Sequence, residues 1–306
     1  MTDRHLVVGA GPVGRHVAQL LAARGSEVVV ATRSGTDTGL AGVRHLQLDA
    51  SDPEALSAAA AGASVLYNCA NPTDYTIWEK VWPPLAGALL VAAQRSGATY
   101  AITGNLYPYG PVEGPMTEDL PDAATDHKGV LRARMWADAK ALHDAGRIRA
   151  VEVRGSDYVG TGVGQNGHVS RQVPGLLEGR RAWVLGRKDQ PHTFTDVLDA
   201  ARLLIAAAED PTAHGRTWHV PSNAPRTQVQ ALTDVMAAAG RPAPRVSQLP
   251  ALTLPAMAPF VPLMRELNQL SYQWKAPYVL DDTAARAHFS MLPTSWDEVC
   301  RRTAAG

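Results

Sequence analysis

The stretch LVVGAGPVGRHVAQLL, residues 6–21, decides the fold of this chain. A short apolar run leads into Gly9, Gly11 and Gly14, spaced as Gly-x-Gly-x-x-Gly, and apolar residues then recur at helical spacing. In such a strand, turn and helix, the first glycine permits the tight turn and the second lets a pyrophosphate approach the backbone. The third lets the helix pack closely on the strand, and the phosphate lies at the positive end of the helix. The stretch predicts a dinucleotide-binding loop, with a ligand-free tight turn as the alternative.

The pattern of short apolar runs and helical segments continues through the first half of the chain. Strands are predicted at 5–8, 27–31, 43–49, 64–70, 98–103 and 148–154. Helices are predicted from 13, and at 51–61, 79–96, 128–145, 195–210 and 228–240. Ser51 is the expected cap of the 51–61 helix, because Pro53 lies in its first turn and Glu54 follows three residues later. Strands alternating with helices predict an α/β fold, a Rossmann-type doubly wound parallel sheet.

The composition of the sequence changes after Arg154, where glycine-rich stretches and segments separated by prolines begin. We expect residues 1–155 to form the dinucleotide-binding domain and residues 156–306 mainly a smaller C-terminal substrate-binding lobe. The chain is expected to return to the first domain around 192–222. The apolar segment LPALTLPAMAPFVPLM, residues 249–264, carries too many prolines for a long regular helix. Core packing is its favoured interpretation, and a pocket wall or a dimer contact are the alternatives.

Composition narrows the class of partner. Lys+Arg and Asp+Glu both number 29, so the charge balance does not favour nucleic acid, and a small molecule is the better expectation. The two cysteines and ten histidines show no zinc-ligand spacing, so no metal is predicted. The first apolar run begins by Leu6, and no apolar stretch approaches the roughly 20 residues of a membrane span. These features predict a cytoplasmic protein without a membrane partner.

The end of the second predicted strand bears on the choice of nucleotide. An Asp or Glu there would accept hydrogen bonds from a ribose 2′-hydroxyl, but the sequence has Thr32, Arg33 and Ser34. A guanidinium can grip a 2′-phosphate in bidentate fashion. NADP(H) is therefore favoured over NAD(H), with an ordinary solvated loop arginine as the alternative interpretation of Arg33.

Several motifs in order give the chain a family resemblance. QLDASDPEAL, YNCAN, TGNLYPYGP, VRGSDYVGTG and HTFTDVLDAARLL follow the glycine loop. Together they resemble an atypical extended short-chain dehydrogenase/reductase of the NAD-dependent epimerase/dehydratase-like group. The resemblance implies that Asp49 faces the adenine and that residues 68–70 lie along the adenosine and ribose. The complete set of cofactor-binding residues expected is Gly9, Gly11, Pro12, Val13, Gly14, Thr32, Arg33, Ser34, Asp49, Asn68, Cys69 and Ala70.

The departure from the family concerns catalysis. Such enzymes carry Tyr-x-x-x-Lys on the helix after the fifth strand, where the lysine lets the phenol exchange a proton with substrate. No tyrosine of this chain has a lysine four residues later, and Lys128 and Arg132 occupy that spacing. In one hypothesis, Thr103 acts with Lys128 as the cation or proton donor. In a second, Tyr107, Tyr109 or Tyr158 takes over, and in a third the cofactor is bound without hydride transfer.

The function predicted is an NADP(H)-dependent oxidoreductase acting on a carbonyl or alcohol group of a small molecule. A non-redox sensor or interaction protein, and an epimerase, isomerase or lyase on the same fold, are the alternatives. A homodimer is expected only by analogy with similar proteins. The catalytic candidates are Thr103, Lys128, Tyr107 and Arg132. The candidate substrate-binding residues are Asn105, Tyr109, Tyr158, His168, His192 and Trp274, each of which could instead be a core or surface side chain.

Overall fold

A computed structural model describes residues 3–306 and contains a central sheet of seven strands. The strands of the chain are β1 (Arg4–Val8), β2 (Glu27–Thr32), β3 (Val43–Gln47), β4 (Val65–Asn68), β5 (Thr99–Asn105), β6 (Arg149–Gly155), β7 (Asp157–Val159), β8 (Ala182–Val184), β9 (Phe194–Asp196), β10 (Thr217–His219) and β11 (Val246–Gln248). The order in the central sheet is β10, β6, β5, β4, β1, β2, β3, and every neighbouring pair is parallel. The predicted fold class, a Rossmann-type doubly wound α/β sheet, is confirmed.

Helices cover both faces of this sheet. The helices of the chain are α1 (Pro12–Ala23), α2 (Pro53–Ala60), α3 (Trp78–Ser96), α4 (His127–Asp144), α5 (Val173–Leu177), α6 (Val197–Glu209), α7 (Gln228–Ala238), α8 (Thr253–Met257), α9 (Pro262–Gln269), α10 (Thr283–Phe289) and α11 (Trp296–Ala305). Helices α1 and α6 share an apolar cluster with one face of the sheet, and α2, α3 and α4 share another with the opposite face. Successive side chains of β1 point to opposite faces of the sheet, so Val7 belongs to the first cluster and Leu6 and Val8 belong to the second.

One helix start differs from the sequence prediction. The N-cap of α2 is Asp52 rather than Ser51, because the Asp52 carboxylate accepts from the backbone N–H groups of Glu54 and Ala55 at 2.9 and 3.2 Å. Ser51 instead donates its hydroxyl hydrogen to Asp49. The helix predicted at 195–210 is present as α6, with Asp196 as its N-cap, and residues 194–196 also form β9 and pair with β7.

After residue 155 the chain adds one more strand, β10, to the central sheet, and its other strands form two small sheets. Strands β7 and β9 form one small parallel sheet, and β8 and β11 form another. A separate apolar cluster joins α5, α7 and α11, with Val173, Leu232 and Val299 among its buried members. Between these elements in sequence, β10 pairs with β6 at the edge of the central sheet, and α6 joins α1 on one face of that sheet. The division into domains at residue 155 stays a prediction.

The proline-rich segment 249–264 breaks into two short helices, α8 and α9, as its prolines predicted. Leu254 is buried, but Leu252 is 76% and Phe260 is 85% exposed, so core packing describes only part of the segment. Within residues 3–306, no helix combines the length and apolar character that crossing a bilayer requires.

Candidate functional site

A cavity of about 570 Å³ lies at the carboxyl ends of the central strands. Its walls come from the segments that follow β1, β2, β3, β4, β5 and β6. In open parallel sheets this is the edge where ligands bind, because the loops there can diverge around a crevice.

The glycine loop forms one end of the cavity. Gly9 has a φ of +101°, and a Cβ there would lie 2.8 Å from backbone atoms of Ala70. A Cβ on Gly14 would overlap the carbonyl oxygen of Gly9, so the loop and the first turn of α1 require glycine at both positions. A Cβ on Gly11 would meet no described atom within 4 Å. The backbone at Gly11 therefore faces open space at the N-terminus of α1, which fits a bound pyrophosphate.

Most of the predicted cofactor residues line this cavity. Those that do are Gly9, Gly11, Pro12, Val13, Thr32, Arg33, Asp49, Cys69 and Ala70. Gly14 lies beneath the loop, Ser34 accepts a hydrogen bond from Thr36, and Asn68 is buried with its amide donating to the Tyr100 hydroxyl at 3.1 Å. These three are not among the residues that line the cavity.

The end of β2 carries the groups nearest the predicted ribose position. The Thr32 hydroxyl accepts from the N–H of Gly35 at 3.0 Å. Arg33 lines the cavity and forms no ion pair within the described part of the chain. Hydrogen bonds from the hydroxyl and the N–H of Ser51, helped by the charge of Arg33, lower the pKa of Asp49. This end therefore presents one ionised carboxylate and one free guanidinium.

The opposite end of the cavity contains hydroxyl groups from four segments of the chain. Thr103 on β5 lies with its Oγ1 3.5 Å from the sulfur of Cys69. The Tyr158 hydroxyl donates to the carbonyl of Gly104 at 2.9 Å, and burial raises the pKa of Tyr158. The hydroxyls of Tyr75 and Tyr107 lie 3.0 Å apart, and burial also raises the pKa of Tyr107. These phenols stay protonated near neutral pH, and the Tyr158 hydrogen is already engaged by the Gly104 carbonyl.

Arg132 places a buried cation on the same wall. Its side chain is sandwiched against Trp78 and Trp82, with the guanidinium carbon 5.0 and 4.2 Å from their rings. One nitrogen, Nη2, donates to Asn71 at 2.9 Å, while Nε and Nη1 find no acceptor among residues 3–306. Desolvation lowers the pKa of Arg132. A buried guanidinium with unused donors suits an oxygen-bearing ligand.

Lys128 does not share this wall. Its side chain is 2% exposed, and its ammonium forms an ion pair with Glu266 on α9. The ammonium also lies 5.6 Å from the ring centre of Tyr75. Lys128 at the start of α4 therefore contacts α9 and Tyr75 and is not among the cavity-lining residues, which leaves its predicted role as proton donor without geometric support.

The predicted substrate-binding residues divide into two groups. Asn105 and Tyr158 line the cavity. Tyr109, His168, His192 and Trp274 lie behind its wall, where Tyr109 hydrogen-bonds His219 at 2.8 Å and His168 stacks on Trp274 with ring centres 4.4 Å apart.

Sequence reasoning missed several residues of the wall. Asn71, Tyr75, Asp157 and Gln273 all line the cavity. Asp157 lies just after the sixth strand, so its position at a strand end was a usable signal. Gln273 reaches the site from far along the chain, and no local pattern marks it. Tyr278, in the aromatic stretch SYQWKAPYVLD that suggests a pocket wall, also lines the cavity. The part of the chain that the structure describes holds no group of three or more His, Cys, Asp or Glu side chains placed to bind a metal ion.

The parallel sheet, the glycine loop and the cavity at the strand ends define a member of the extended short-chain dehydrogenase/reductase class. More narrowly, the chain belongs to the NAD dependent epimerase/dehydratase family, whose model matches residues 5–220. The resemblance inferred from the sequence motifs is thereby confirmed. A comparison with curated proteins found no match.

Solved structures share the whole fold at low sequence identity. UDP-glucuronic acid 4-epimerase from Bacillus cereus, in complex with NAD, has a TM-score of 0.80 at 18% identity, with 99% of this chain and 98% of that chain covered. UDP-glucose 4-epimerase from Thermotoga maritima has a TM-score of 0.81 at 15% identity, covering 99% and 97%. dTDP-glucose 4,6-dehydratase from Bacillus anthracis, in complex with NAD, has a TM-score of 0.79 at 14% identity, covering 99% and 96%. The similarity therefore extends through the C-terminal lobe.

Proposed function

We propose that the chain is an NADP(H)-dependent oxidoreductase acting on a carbonyl or alcohol group of a small molecule. The observation that carries the proposal is that one cavity reaches from the glycine loop to Thr103, Tyr158 and Arg132. A dinucleotide whose pyrophosphate lies at Gly11 would extend along this cavity toward the polar end. When bound, it supplies or accepts a hydride at its nicotinamide ring.

The side chains at the polar end fit such a reaction. The Thr103 hydroxyl can donate to a carbonyl oxygen and so polarise it. The Tyr158 hydroxyl, whose hydrogen is donated to Gly104, presents an acceptor oxygen at the same wall, and Arg132 has unused N–H groups for a substrate or cofactor oxygen. Trp78 and Trp82 restrict water around the guanidinium, which strengthens its interaction with a bound oxygen.

The choice between nucleotides rests on the end of β2. Thr32 offers no carboxylate for a 2′-hydroxyl, and the free Arg33 guanidinium suits a 2′-phosphate. NAD is the alternative, since similar epimerases and dehydratases were crystallised with it.

A small substrate is proposed because the C-terminal lobe contributes little to the cavity. Val163, Asn166, Gln273 and Tyr278 are the lobe residues beyond Tyr158 that line it. An epimerase or dehydratase acting on a nucleotide sugar is the second candidate, favoured by the activities named for the similar structures. The missing Tyr-x-x-x-Lys pair weighs against the usual form of that chemistry.

Two further expectations accompany this proposal. Cys69 and Cys300 are buried free thiols, which agrees with a reducing compartment such as the cytoplasm. The balanced charge of the chain gives no reason to add nucleic acid as a partner.

The test is a pair of fluorescence titrations with NADPH and NADH, on the wild type and on Arg33→Ala. We expect NADPH to bind more tightly than NADH, and the Kd for NADPH to rise about tenfold in the variant, as loss of one charged contact implies. The NADH affinity should stay unchanged. A panel of small aldehydes and ketones is then screened for NADPH oxidation.

The outcomes separate the candidates. If neither nucleotide binds, the oxidoreductase proposal is refuted. Tight binding without consumption of NADPH on the panel favours the sensor or epimerase interpretation, and assays with UDP-sugars then distinguish those two.

A further inference from the structure

The guanidinium of Arg132 is a buried charge without an ion-pair partner in residues 3–306. Arg132 lies on α4, is 4% exposed and lines the polar end of the cavity. Its Nη2 donates to the neutral side chain of Asn71 at 2.9 Å, and Nε and Nη1 have no acceptor in that part of the chain. Charges in protein interiors are normally paired, because an unpaired one loses its hydration and gains no partner.

Two carboxylates in this region are engaged by other side chains. Glu152, whose charge acts on Arg132 but forms no ion pair with it, accepts from Nε of Arg154 at 2.7 Å. Asp157, on the cavity wall, lies 2.9 Å from Nε2 of His192. Desolvation lowers the pKa of Arg132 despite the charge of Glu152. The described side chains therefore leave this guanidinium without a contacting anion.

The neighbours of Arg132 hold it in place at the cavity. Its guanidinium carbon lies 5.0 and 4.2 Å from the ring centres of Trp78 and Trp82 on α3. Asn71 also lines the cavity, and its amide nitrogen makes no hydrogen bond within residues 3–306. Asn71 thus adds an N–H donor beside the guanidinium. Donors that are already positioned bind a ligand without the cost of ordering them.

A carboxylate suits this position better than a phosphate or a hydroxyl group. The planar donors of a guanidinium match the two oxygens of a carboxylate, which carries one charge opposite to that of Arg132. A phosphate monoester carries about −2 at neutral pH and would bring surplus negative charge to the wall that also holds Asp157. A hydroxyl group, such as that of a ribose, would accept a hydrogen bond but leave the charge unpaired.

Resting on the proposed hydride transfer, we propose that the substrate is a small oxo acid, or the corresponding hydroxy acid, and that Arg132 binds its carboxylate. Thr103 lies at the same end of the cavity, where its hydroxyl can donate to the carbonyl oxygen. In reduction, the carbonyl carbon receives a hydride from the reduced dinucleotide and the oxygen takes a proton from solvent. The products are the hydroxy acid and the oxidised dinucleotide, and the carboxylate itself is unchanged.

The first test compares acids with their neutral esters. Pyruvate, acetoacetate and levulinate place the carbonyl next to the carboxylate, one carbon away and two carbons away, and they extend the panel of aldehydes and ketones. Their methyl esters keep the carbonyl but remove the charge. With NADPH as the reductant, we expect kcat/KM for the preferred acid to exceed that for its methyl ester by at least about tenfold.

Variants of Arg132 connect this preference to the guanidinium. Arg132→Met should lower kcat/KM for the acid by about 10- to 100-fold, mainly through KM, because a charged hydrogen-bond partner is lost. The ester should be reduced nearly as by the wild type, so the preference disappears. Arg132→Lys keeps the charge and should retain part of the preference. Arg134→Met makes the same change at an exposed arginine of α4, paired with Asp138, and should behave as wild type.

Tryptophan fluorescence provides a readout independent of turnover, because Trp78 and Trp82 contact the guanidinium. The same acids and esters are titrated without NADPH. We expect a saturable change with the preferred acid in the wild type and in Arg134→Met, and none in Arg132→Met. If Arg132→Met does not fold, the acid and ester affinities of the wild type and of Arg132→Lys decide the same question.

The results separate this inference from the function on which it rests. Equal kcat/KM for acids and esters in the wild type overturns the inference alone, as does an acid preference that survives in Arg132→Met. A tenfold or greater loss of NADPH affinity in Arg132→Met, with acids and esters affected equally, also overturns it, since Arg132 would then contact the cofactor. A wild type that binds no NADPH refutes the proposed function, and the fluorescence titrations then decide carboxylate binding separately. An acid preference abolished in Arg132→Met, with NADPH binding intact, supports the inference.

Discussion

Replacing Gly11 with alanine would test whether the glycine loop holds a pyrophosphate. The added Cβ meets no described atom within 4 Å, and the φ of Gly11, −68°, is accessible to any residue. We therefore expect the free energy of unfolding to change by less than about 1 kcal/mol. The methyl group would occupy space beside the cavity that the phosphates need. We expect the Kd for NADPH to rise by at least about tenfold, or about 1.4 kcal/mol.

The assays are fluorescence titration with NADPH and urea unfolding of the same preparations. Gly87→Ala is the matched control, because Gly87 lies within α3, away from the cavity, and a Cβ there also meets no described atom within 4 Å. It should bind NADPH as wild type does and be equally or slightly more stable. Unchanged NADPH affinity in Gly11→Ala would refute the pyrophosphate assignment.

Gly14→Ala, unlike Gly11→Ala, should lower the stability of the fold. Its Cβ would overlap the carbonyl oxygen of Gly9 and lie 3.1 Å from the Cβ of Cys69, so α1 must shift from the loop. Such overpacking costs about 1–3 kcal/mol of stability, which the better helix propensity of alanine offsets only in part. A lowered urea midpoint is therefore expected in Gly14→Ala but not in Gly11→Ala.

Two further predictions concern charged groups. Burial lowers the pKa of His168 to about 3. At a pH below the ordinary pKa of histidine, the unfolded chain therefore binds a proton at His168 that the folded chain does not. The free energy of unfolding should then fall as the pH falls from about 6 to about 4, by up to about 1.4 kcal/mol per pH unit from this group. In His168→Phe, the dependence of the free energy of unfolding on pH, measured by urea unfolding, should be weaker by that amount. Equal slopes would contradict this account. Lys128→Met should destabilise the fold by about 3 kcal/mol, because it leaves Glu266 with only the exposed Arg265, 3.6 Å away, as a partner, whereas Lys128→Met with Glu266→Leu should recover most of the loss. Calorimetry measures both, and equal melting temperatures of the single variant and wild type would count against the ion pair.

Much of the fold was predictable because its signals are local. The apolar run of β1, the glycine loop and the helical spacing of α1 lie within one short stretch, and the following units repeat the pattern. Short strands that depend on distant pairing were not predicted. Residues 194–196 lead into the predicted helix, and they form β9 because β7 offers a parallel partner. Ser51 and Asp52 are both good caps, and only the geometry of the turn selects Asp52.

The residues of the candidate site likewise fall into those that local sequence predicts and those that only distant contacts bring together. Residues at strand ends, such as Gly9, Thr103 and Tyr158, could be anticipated because parallel strands bring their carboxyl ends to one edge. The partner of Lys128 could not, since Glu266 is 138 residues away along the chain. Likewise, nothing local indicates that His192 would stand behind Asp157 rather than face a substrate.

The path of the chain after residue 155 limits how this protein can be cut or recombined. Strand β10 completes the edge of the central sheet beside β6, and α6 packs against α1, yet both follow elements of the lobe in sequence. A fragment ending at Gly155 would expose the side of β6 and the apolar face of α1 that these later elements cover. A single genetic crossover cannot exchange the lobe without also exchanging part of the sheet. New specificity in such a chain is therefore more accessible through point substitutions around the cavity than through transfer of a whole lobe.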